Sequence, residues 1–153
     1  MKRLMSVLLI AIFFSACSSD DTNSGTTLVG SWKLVELNAA IPLDLNNDGT
    51  ANRNVIEEIP CIKGNATFTA DGNYLSTLCK VDEEEVDGTI VFNCNGDIVG
   101  SRTYELNGNQ LTLTPDAPES ETSTTIIDLN SNTISITISA GDFGTLEFVA
   151  DRN

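Results

Sequence analysis

The stretch TSTTIIDLNSNTISITISA, residues 122–140, decides the fold. Apolar and polar side chains alternate along both of its halves, and a two-residue turn at 131–132 folds one half back on the other. Because successive side chains of a strand point to opposite faces, the apolar residues then share one face and the polar residues the other. The stretch therefore predicts an antiparallel hairpin with one dry face. Its predicted opposite pairs are Leu129 with Ile134 and Ile127 with Ile136.

Similar runs recur from Leu28 to the end of the chain, separated by turn residues, and helix signals are nearly absent. Asp71-Gly72 and Asn107-Gly108 are strong signals for two-residue turns, since both central residues of a type I′ turn need positive φ. The four prolines fall outside the proposed strands, where a missing N–H breaks the ladder. The nine candidate strands span residues 30–38, 65–70, 73–80, 89–94, 99–107, 110–114, 122–130, 133–140 and 144–150.

Hairpins with one apolar face either pack as two sheets or close into a barrel, which removes their edges. The turn at 107–108 places Tyr104 opposite Leu111, so apolar residues again share a face. We predict an all-β fold, an antiparallel up-and-down β-barrel of about eight to nine strands that follows an N-terminal signal peptide.

Composition excludes several classes of function. The chain has 153 residues, a length typical of one domain, with a formal net charge of −14 and no histidine. A phosphate-binding face needs clustered lysine and arginine, so nucleic acid is not expected as a partner. The lack of histidine removes Ser-His-Asp triads, Cys-His nucleophiles and HExxH zinc sites.

The first seventeen residues have the pattern of an export signal. Basic residues at 2–3, an apolar run at 4–14 and small residues at 15–16 precede Cys17. The apolar run is too short for a transmembrane helix, which needs about 20 residues. Residues 14–17, FSAC, resemble the lipobox of bacterial lipoproteins, in which the cysteine becomes the first residue of the mature protein and carries acyl chains.

This pattern predicts three segments along the chain. Residues 1–16 are the lipoprotein signal peptide, residues 17–27 a flexible tether with lipidated Cys17, and residues 28–153 the barrel domain. Ser18-Ser19-Asp20-Asp21 resembles the short tag that sends some Gram-negative lipoproteins to the outer face of the outer membrane. We therefore expect an outer-membrane protein, exposed at the cell surface and anchored in the bilayer through acylated Cys17.

The segment Gly30-Ser31-Trp32, followed by a meander, resembles the start of the lipocalin-like domains found in many bacterial lipoproteins. The loop at 44–49, the segment EEIPC at 57–61 and the strand NQLTLT at 109–114 extend the resemblance over nearly the whole mature chain. The resemblance implies that Trp32 closes the base of the barrel under a basic residue of the last strand, for which Arg152 is the candidate. A core aromatic without a ligand role is the alternative for Trp32.

The loop DLNNDG at 44–49 reproduces the first half of a calcium loop, in which alternate oxygens converge on the cation and glycine permits the turn. An EF-hand has a bidentate glutamate at position twelve, but Val55 stands there, so a later glutamate has to fold back. The alternative is a turn whose side chains accept hydrogen bonds from backbone N–H groups. The candidate ligands of a structural Ca²⁺ are Asp44, Asn46, Asp48, Thr50, Glu57 and Glu58.

Once Cys17 is lipidated, three cysteines remain in an oxidising compartment, which predicts one disulfide and one free thiol. All three pairings among Cys61, Cys79 and Cys94 are open. A hairpin at 71–72 puts Cys79 opposite Gly64, close to Cys61, whereas the family resemblance implies the pair Cys61–Cys94. No C-x-x-C motif is present, which argues against zinc.

Five acidic residues cluster between positions 82 and 87. Runs of like charge are usually solvated, so we interpret this cluster as an exposed loop between two strands. A second cation site or a docking surface for a basic partner are the alternatives.

These features favour a monomeric lipoprotein that is not an enzyme and that binds a small apolar molecule or serves as an accessory surface factor. One alternative is a solid barrel whose loops at 44–58 and 82–87 dock a protein of a surface complex. The other is a carboxylate-based hydrolase, although no spacing singles out an acid pair.

Overall fold

The computed structural model describes residues 27–87, 89–116, 121–141 and 144–153. The predicted signal peptide and Cys17 lie outside the described residues. Within those ranges the chain forms nine strands and one four-residue helix, and none of its helices has the length and apolar character to cross a membrane. The elements are β1 (Gly30–Leu43), β2 (Asn52–Asn54), α1 (Val55–Glu58), β3 (Gly64–Phe68), β4 (Asn73–Val86), β5 (Thr89–Asn107), β6 (Gln110–Pro115), β7 (Ser123–Leu129), β8 (Thr133–Ser139) and β9 (Thr145–Arg152).

The strands form one antiparallel sheet that closes on itself. Consecutive strands are neighbours from β3 to β9, and β1 pairs with both β3 and β9. Eight strands make the closed barrel, while β2 is an extra strand beside the outer half of β1. The predicted all-β, up-and-down barrel is therefore confirmed.

Two of the three predicted turns differ from the structure. The turn at 131–132 is as predicted, with Leu129 opposite Ile134 and Ile127 opposite Ile136. The turn predicted at Asn107-Gly108 lies one residue later in the chain, at Gly108 and Asn109. Of these two residues only Gly108 has a positive φ, 63°, which fits a type II′ turn. The residue pairs across this hairpin shift by two positions from the prediction. The side chains therefore lie on the predicted faces of the sheet, although the predicted pair of Tyr104 with Leu111 is wrong. The observed pairs are Leu106 with Leu111 and Tyr104 with Leu113.

The turn at Asp71-Gly72 has three residues instead of two. The Thr69 N–H donates to the Asn73 carbonyl (2.9 Å), and Gly72 adopts a φ of 84° as the third loop residue. Leu78, and not Cys79, therefore lies opposite Gly64. The predicted register of this hairpin was wrong by one residue.

The candidate strands at 89–94 and 99–107 are one continuous strand, β5. A bulge lies between them, since β5 has two residues, Asn95 and Gly96, where β4 has Lys80 alone. β4 continues to Val86, so the acidic residues at 82–85 are in a strand and not in the predicted loop. Glu83, Glu84 and Glu85 stay exposed in succession, so both faces of this ribbon of β4 and β5 are open to water.

The core has two parts. The first, at the end of the barrel where β1 begins, centres on Trp32, Phe68 and Leu111. The second joins α1 and the residues after it to the outer half of β1 and to β4. Ile59 and Ile62, which follow α1 and precede β3, pack with Ala39 of β1 and Cys79 of β4. The buried members of the second part are Ala39, Val55, Ile59, Ile62 and Cys79.

Candidate functional site

One end of the barrel is closed by aromatic side chains. Trp32 is fully buried, and its indole Nε1–H donates to the Leu28 carbonyl at 2.9 Å. Phe68 is buried beside it, with ring centroids 4.9 Å from Tyr74 and 5.0 Å from Tyr104. These side chains fill the base of the barrel.

Arg152 of β9 covers Trp32 from outside. Its guanidinium carbon lies 4.3 Å from the centre of the indole ring, a distance at which the cation and the π system attract. The same guanidinium donates to the carbonyls of Ser131 (2.9 Å), Val29 (3.0 Å) and Thr27. The structure thus places Arg152 where the family resemblance implies a basic partner for Trp32.

Gly30 makes this arrangement possible. Its φ is 142°, and a Cβ atom at this position would lie 2.6 Å from Nη1 of Arg152. The glycine of the G-x-W segment is therefore required both by its backbone conformation and by the guanidinium that lies against it.

The opposite end of the barrel is open. Strand register places Leu78 and Ile98 opposite each other, and Ile138 opposite Leu146, on the inward face. Leu78, Ile98 and Ile138 nevertheless remain 36%, 57% and 41% exposed, respectively. The barrel is therefore not filled by its own side chains at this end.

A small apolar cavity lies between the base and the opening. Its volume is about 190 Å³, and Trp32, Leu34, Tyr74 and Phe148 contribute to its wall. Sites for drug-sized ligands have about 300–1,000 Å³, so this cavity alone holds only part of such a molecule. A longer ligand has to extend from the cavity toward the opening.

Arg102 is a basic residue on the inward face of β5, between the aromatic base and Ile98. Register puts it opposite Tyr74 and opposite Pro115, the last residue of β6, and two residues from inward-facing Tyr104. Among the described residues, the one ion pair joins Lys80 to Asp82 (2.7 Å), so no described carboxylate neutralises Arg102. Sequence reasoning missed this residue, although its alternation with Tyr104 in a predicted strand was a usable signal.

A wider concavity of about 890 Å³ lies on the outside of β6, β7 and β8. Its wall carries threonines, Ser135, Ile126 and Asp128, without a basic group. It is a shallow surface groove, and the barrel interior is the better candidate site.

The loop at 44–50 is held by its own hydrogen bonds. Backbone N–H groups donate to Asp44 (from Gly49, 3.1 Å), to Asn46 (from Asp48, 2.9 Å) and to Asp48 (from Thr50, 2.7 Å). This is the hydrogen-bonded turn that the sequence offered as the alternative to a calcium site. The Asp44 oxygen Oδ1 accepts no hydrogen bond from the described residues, so one oxygen remains for another partner.

Glu58 joins this loop to α1. The residue is 2% exposed, and its carboxylate accepts from the N–H groups of Leu45 (3.0 Å) and Asn46 (3.4 Å) and from the Asn52 amide (2.6 Å). Glu57 is exposed and shares none of these contacts. In the described part of the chain no three Asp, Glu or Cys side chains are grouped to hold a metal. Glu58 thus lies against the loop and Glu57 does not, and the calcium site stays a prediction.

Cys61 and Cys94 form a disulfide with Cα atoms 5.8 Å apart, which confirms the pairing that the family resemblance implies. Cys79 is the free cysteine of the described residues and is buried. Its Sγ lies 3.4 Å from Sγ of Cys94 and accepts from the Lys63 N–H at 3.3 Å. All three cysteines thus meet at one place.

Two described carboxylates have shifted pKa values, and both are lowered. Hydrogen bonds from Thr69 and the local backbone lower the pKa of Asp71, and hydrogen bonds from Lys80 and Asn95 lower that of Asp82. A glycosidase acid needs a raised pKa, so neither residue suits that role.

Comparison with known proteins agrees with the geometry. No curated protein matches the chain. The family model of the lipocalin-like domain matches residues 28–136, which include Trp32, the disulfide and seven of the eight barrel strands in whole or in part. Together with the closed eight-stranded barrel, this match shows that the chain belongs to the lipocalin-like domain family.

Proposed function

We propose that this protein is a non-enzymatic, lipid-anchored binding protein of the outer-membrane surface that takes one small amphipathic anion into its barrel. The observation that carries the proposal is the exposure of inward-facing Leu78, Ile98 and Ile138, together with Arg102 four residues from Ile98 on the same face of β5. An apolar chain would lie against these side chains, and a carboxylate or similar acid would bind the guanidinium. The family supports the choice, since the lipocalin-like barrel is typically a binding fold without enzymatic activity.

The energetics favour a ligand that has both an apolar chain and an acidic group. Each methylene taken out of water contributes about 0.8 kcal/mol, and a hydrogen bond to a charged group about 1.5–3 kcal/mol. After the loss of translational and rotational freedom, we expect a micromolar Kd for a ten-carbon acid, on the order of −8 kcal/mol.

Trp32 supplies the readout for a binding test, because it is the single tryptophan of the chain and forms part of the cavity wall. The protein is titrated with decanoate and with decanol while Trp32 fluorescence is followed. We expect saturable binding of both and tighter binding of decanoate. Arg102→Gln is expected to weaken decanoate binding about tenfold or more and to leave decanol binding unchanged.

Lys33→Gln is the matched control, since it removes one positive charge from the exposed outer face of β1 beside Trp32. Its affinity for decanoate should equal that of the wild type. If neither ligand changes the fluorescence, or if Arg102→Gln binds decanoate as the wild type does, the proposed site is wrong.

Anchoring through Cys17 is the second part of the proposal. Its support is the order of basic, apolar and small residues before Cys17, together with the acidic tag that follows. Several acyl chains at about 0.8 kcal/mol per buried methylene hold a protein on a bilayer far more firmly than a single chain. The mass of the membrane-extracted protein should exceed that of the cleaved polypeptide by the acyl groups, and Cys17→Ala should release the protein from the membrane fraction.

A calcium ion at the loop 44–50 remains a smaller proposal, with Asp44, Asn46, Asp48 and the Thr50 carbonyl as ligands. A site with two carboxylates corresponds to a weak extracellular site with a Kd of about 1 mM. At about 5 mM calcium the gain is about 1 kcal/mol, or a rise in Tm of about 2–4 °C. Equal Tm values in calcium, in magnesium at the same ionic strength and in chelator would reject the ion.

An interaction module is the second candidate function, and the ribbon of β4 and β5 favours it. Residues 81–86 and 89–94 pair only with each other among the described strands, and Val86, Ile90 and Val91 are exposed there. Such an edge is open to a partner strand. Loss of a co-purified protein on Val91→Lys, with decanoate binding intact, would support this function beside ligand binding.

A further inference from the structure

The three cysteines of the barrel domain form one contiguous group. Cys61 and Cys94 are bonded, and the free thiol of Cys79 lies with its sulfur 3.4 Å from that of Cys94. The bulge at Asn95 and Gly96 creates this proximity, because the register changes from Cys79 opposite Asp97 to Val81 opposite Cys94. Cys94 therefore has two possible sulfur partners at contact distance.

We propose that this group is an internal thiol–disulfide exchange site in which Cys94 changes its partner from Cys61 to Cys79. Cys79 first gives its proton to water. A sulfur electron pair of its thiolate forms the bond to Cys94 Sγ, the Cys61–Cys94 bond breaks, and Cys61 leaves with the bonding pair and takes up a proton. One disulfide and one thiol are present before and after, so the step needs no oxidant or reductant.

The surroundings of Cys79 suit an attacking thiolate. The Lys63 N–H points at its sulfur at 3.3 Å, and a backbone N–H is a donor to a sulfur anion. A surface cleft of about 490 Å³ has all three cysteines in its wall, together with Pro60, Gly96 and two residues with charged side chains, Lys63 and Asp97. Water, which has to take and return the proton, thus reaches the group through this cleft.

The exchange changes which parts of the barrel are tied together. The bond Cys61–Cys94 crosses a sequence separation of 33 residues and fastens the segment after α1 to β5. The bond Cys79–Cys94 has a separation of 15 residues and stays within the hairpin of β4 and β5. After the exchange, the wall segment that carries Ile59 and Ile62 has no covalent tie to β5 and is held by packing and by the hydrogen bonds of Glu58 and Lys63.

This has a consequence for the ligand, and that consequence rests on the proposed function. Ile59 and Ile62 pack on Ala39 and, with Leu34 and Leu146 at the edge of the cluster, cover one side of the barrel interior. Release of this segment would widen access to the interior without a change in the base at Trp32. The exchange itself is independent of ligand binding and is tested by chemistry alone.

The test uses the exported chain with Cys17→Ser, so that no fourth sulfur takes part. The protein is kept without oxygen or external thiol at pH 8, and samples are unfolded in acid, blocked with N-ethylmaleimide and mapped by mass spectrometry. The label is expected on Cys79 at first and then increasingly on Cys61, while the peptide pair Cys79–Cys94 appears and the total stays at one label per chain.

Cys79→Ser removes the attacking sulfur and keeps the disulfide, so labelling of Cys61 should fall about tenfold or more. A single pairing that never changes in the wild-type chain, whichever pairing it is, overturns the proposal. A change in the total label also overturns it, because it marks oxidation or reduction instead of exchange. Failure of decanoate binding in the titration with Trp32 leaves this result untouched, so the two proposals fail separately.

Discussion

At the scale of single residues, Arg152 connects the two ends of the described chain. One guanidinium lies over Trp32 and donates to carbonyls at Thr27, Val29 and Ser131. A charged donor satisfies these carbonyls better than a neutral one. The packing of the base therefore depends on a residue one position from the C-terminus.

We predict that Arg152→Ala lowers the free energy of unfolding by about 2–3 kcal/mol, because the cation–π contact and the charge-assisted hydrogen bonds are lost together. The measurement is denaturant unfolding with Trp32 fluorescence. Arg152→Lys should recover only part of the loss, since an ammonium group lacks the planar fork that reaches several carbonyls.

Gly30→Ala provides the control for this geometry. The added Cβ meets the guanidinium at 2.6 Å in the wild type, so part of its cost should disappear in the Arg152→Ala background. The part that remains reports the strain of φ at 142°. Strictly additive effects would contradict the contact between Gly30 and Arg152.

Tyr104 gives the protein a dependence on alkaline pH. Burial, and to a lesser extent the negative charge of Asp71, raises the pKa of Tyr104 above its ordinary value of 10.0. The neutral phenol is thus favoured in the folded state, and its contribution is complete below pH 10 and lost as the pH rises through the raised value. We predict that Tyr104→Phe is less stable at pH 7, where it lacks the hydrogen bond to the Thr69 carbonyl (2.8 Å), by about 1 kcal/mol.

Unfolding free energies measured from pH 7 to 11 test this prediction. The difference between wild type and Tyr104→Phe should shrink above pH 10, since only the wild type has to keep this phenol protonated. Tyr74→Phe serves as the comparison, because it also contacts Phe68. A difference that stays constant over the whole range would show that Tyr104 does not titrate differently in the folded chain.

At the scale of elements, α1 is the part of the wall that depends on a polar contact. The buried carboxylate of Glu58 accepts three N–H donors and fixes the loop 44–50 against the helix. We predict that Glu58→Gln costs about 1–3 kcal/mol, because one acceptor oxygen becomes an amide that faces N–H donors. Glu57→Gln, on the exposed neighbour, should change stability by less than about 0.5 kcal/mol.

Thermal unfolding of both variants shows whether the buried contact of Glu58 or the overall charge of the segment stabilises α1. If Glu57→Gln destabilises as much as Glu58→Gln, overall charge rather than the buried contact holds α1. A calcium titration of the same variants shows whether Glu58 contributes to calcium affinity or only stabilises the loop through its hydrogen bonds.

The elements also show how far local sequence patterns predict this fold. The hairpin at 131–132 was predictable, since alternation on both sides leaves one register that keeps Ile127 and Ile134 inside. The length of the turn at 71–72 could not be predicted, because a glycine with positive φ occurs in both two-residue and three-residue hairpin loops. The choice depends on Thr69, whose hydroxyl bonds with the Asn73 backbone at 3.0 and 3.1 Å.

The candidate site was predictable to a similar extent. Alternation along β5 already puts Arg102 on the same face as Tyr104, so the inward cation could be read from the strand pattern. The contact between Cys79 and Cys94 could not, because it requires the bulge at residues 95–96. The sequence NCNGD at 93–97 has the composition of a turn, and only the continuing partner strand β4 makes it a bulge.

At the scale of the whole molecule, charge is the dominant feature. A net charge of −14 on a small barrel produces self-repulsion that opposes the compact state. Salt from about 10 mM to about 150 mM shortens the Debye length from about 30 Å to about 8 Å. We predict that Tm rises by about 2–4 °C over this range, measured with sodium chloride and with choline chloride to exclude a specific cation.

A Tm that does not change with either salt would contradict this account of the molecule's electrostatics. A rise in Tm with sodium chloride but not with choline chloride would indicate that the protein binds sodium. The calcium experiment would then need sodium-free buffer. Both salts are therefore needed before a calcium effect is interpreted.

The position of β1 in the sheet determines how the barrel resists a mechanical force applied at its N-terminal side. β1 is the first strand, yet it has hydrogen-bonded neighbours on both sides, β3 and β9. Tension on the proposed lipid tether would act along this strand and load many backbone hydrogen bonds in shear, rather than peeling a border strand away one bond at a time. The proposed anchor would therefore pull on a strand that is paired on both sides.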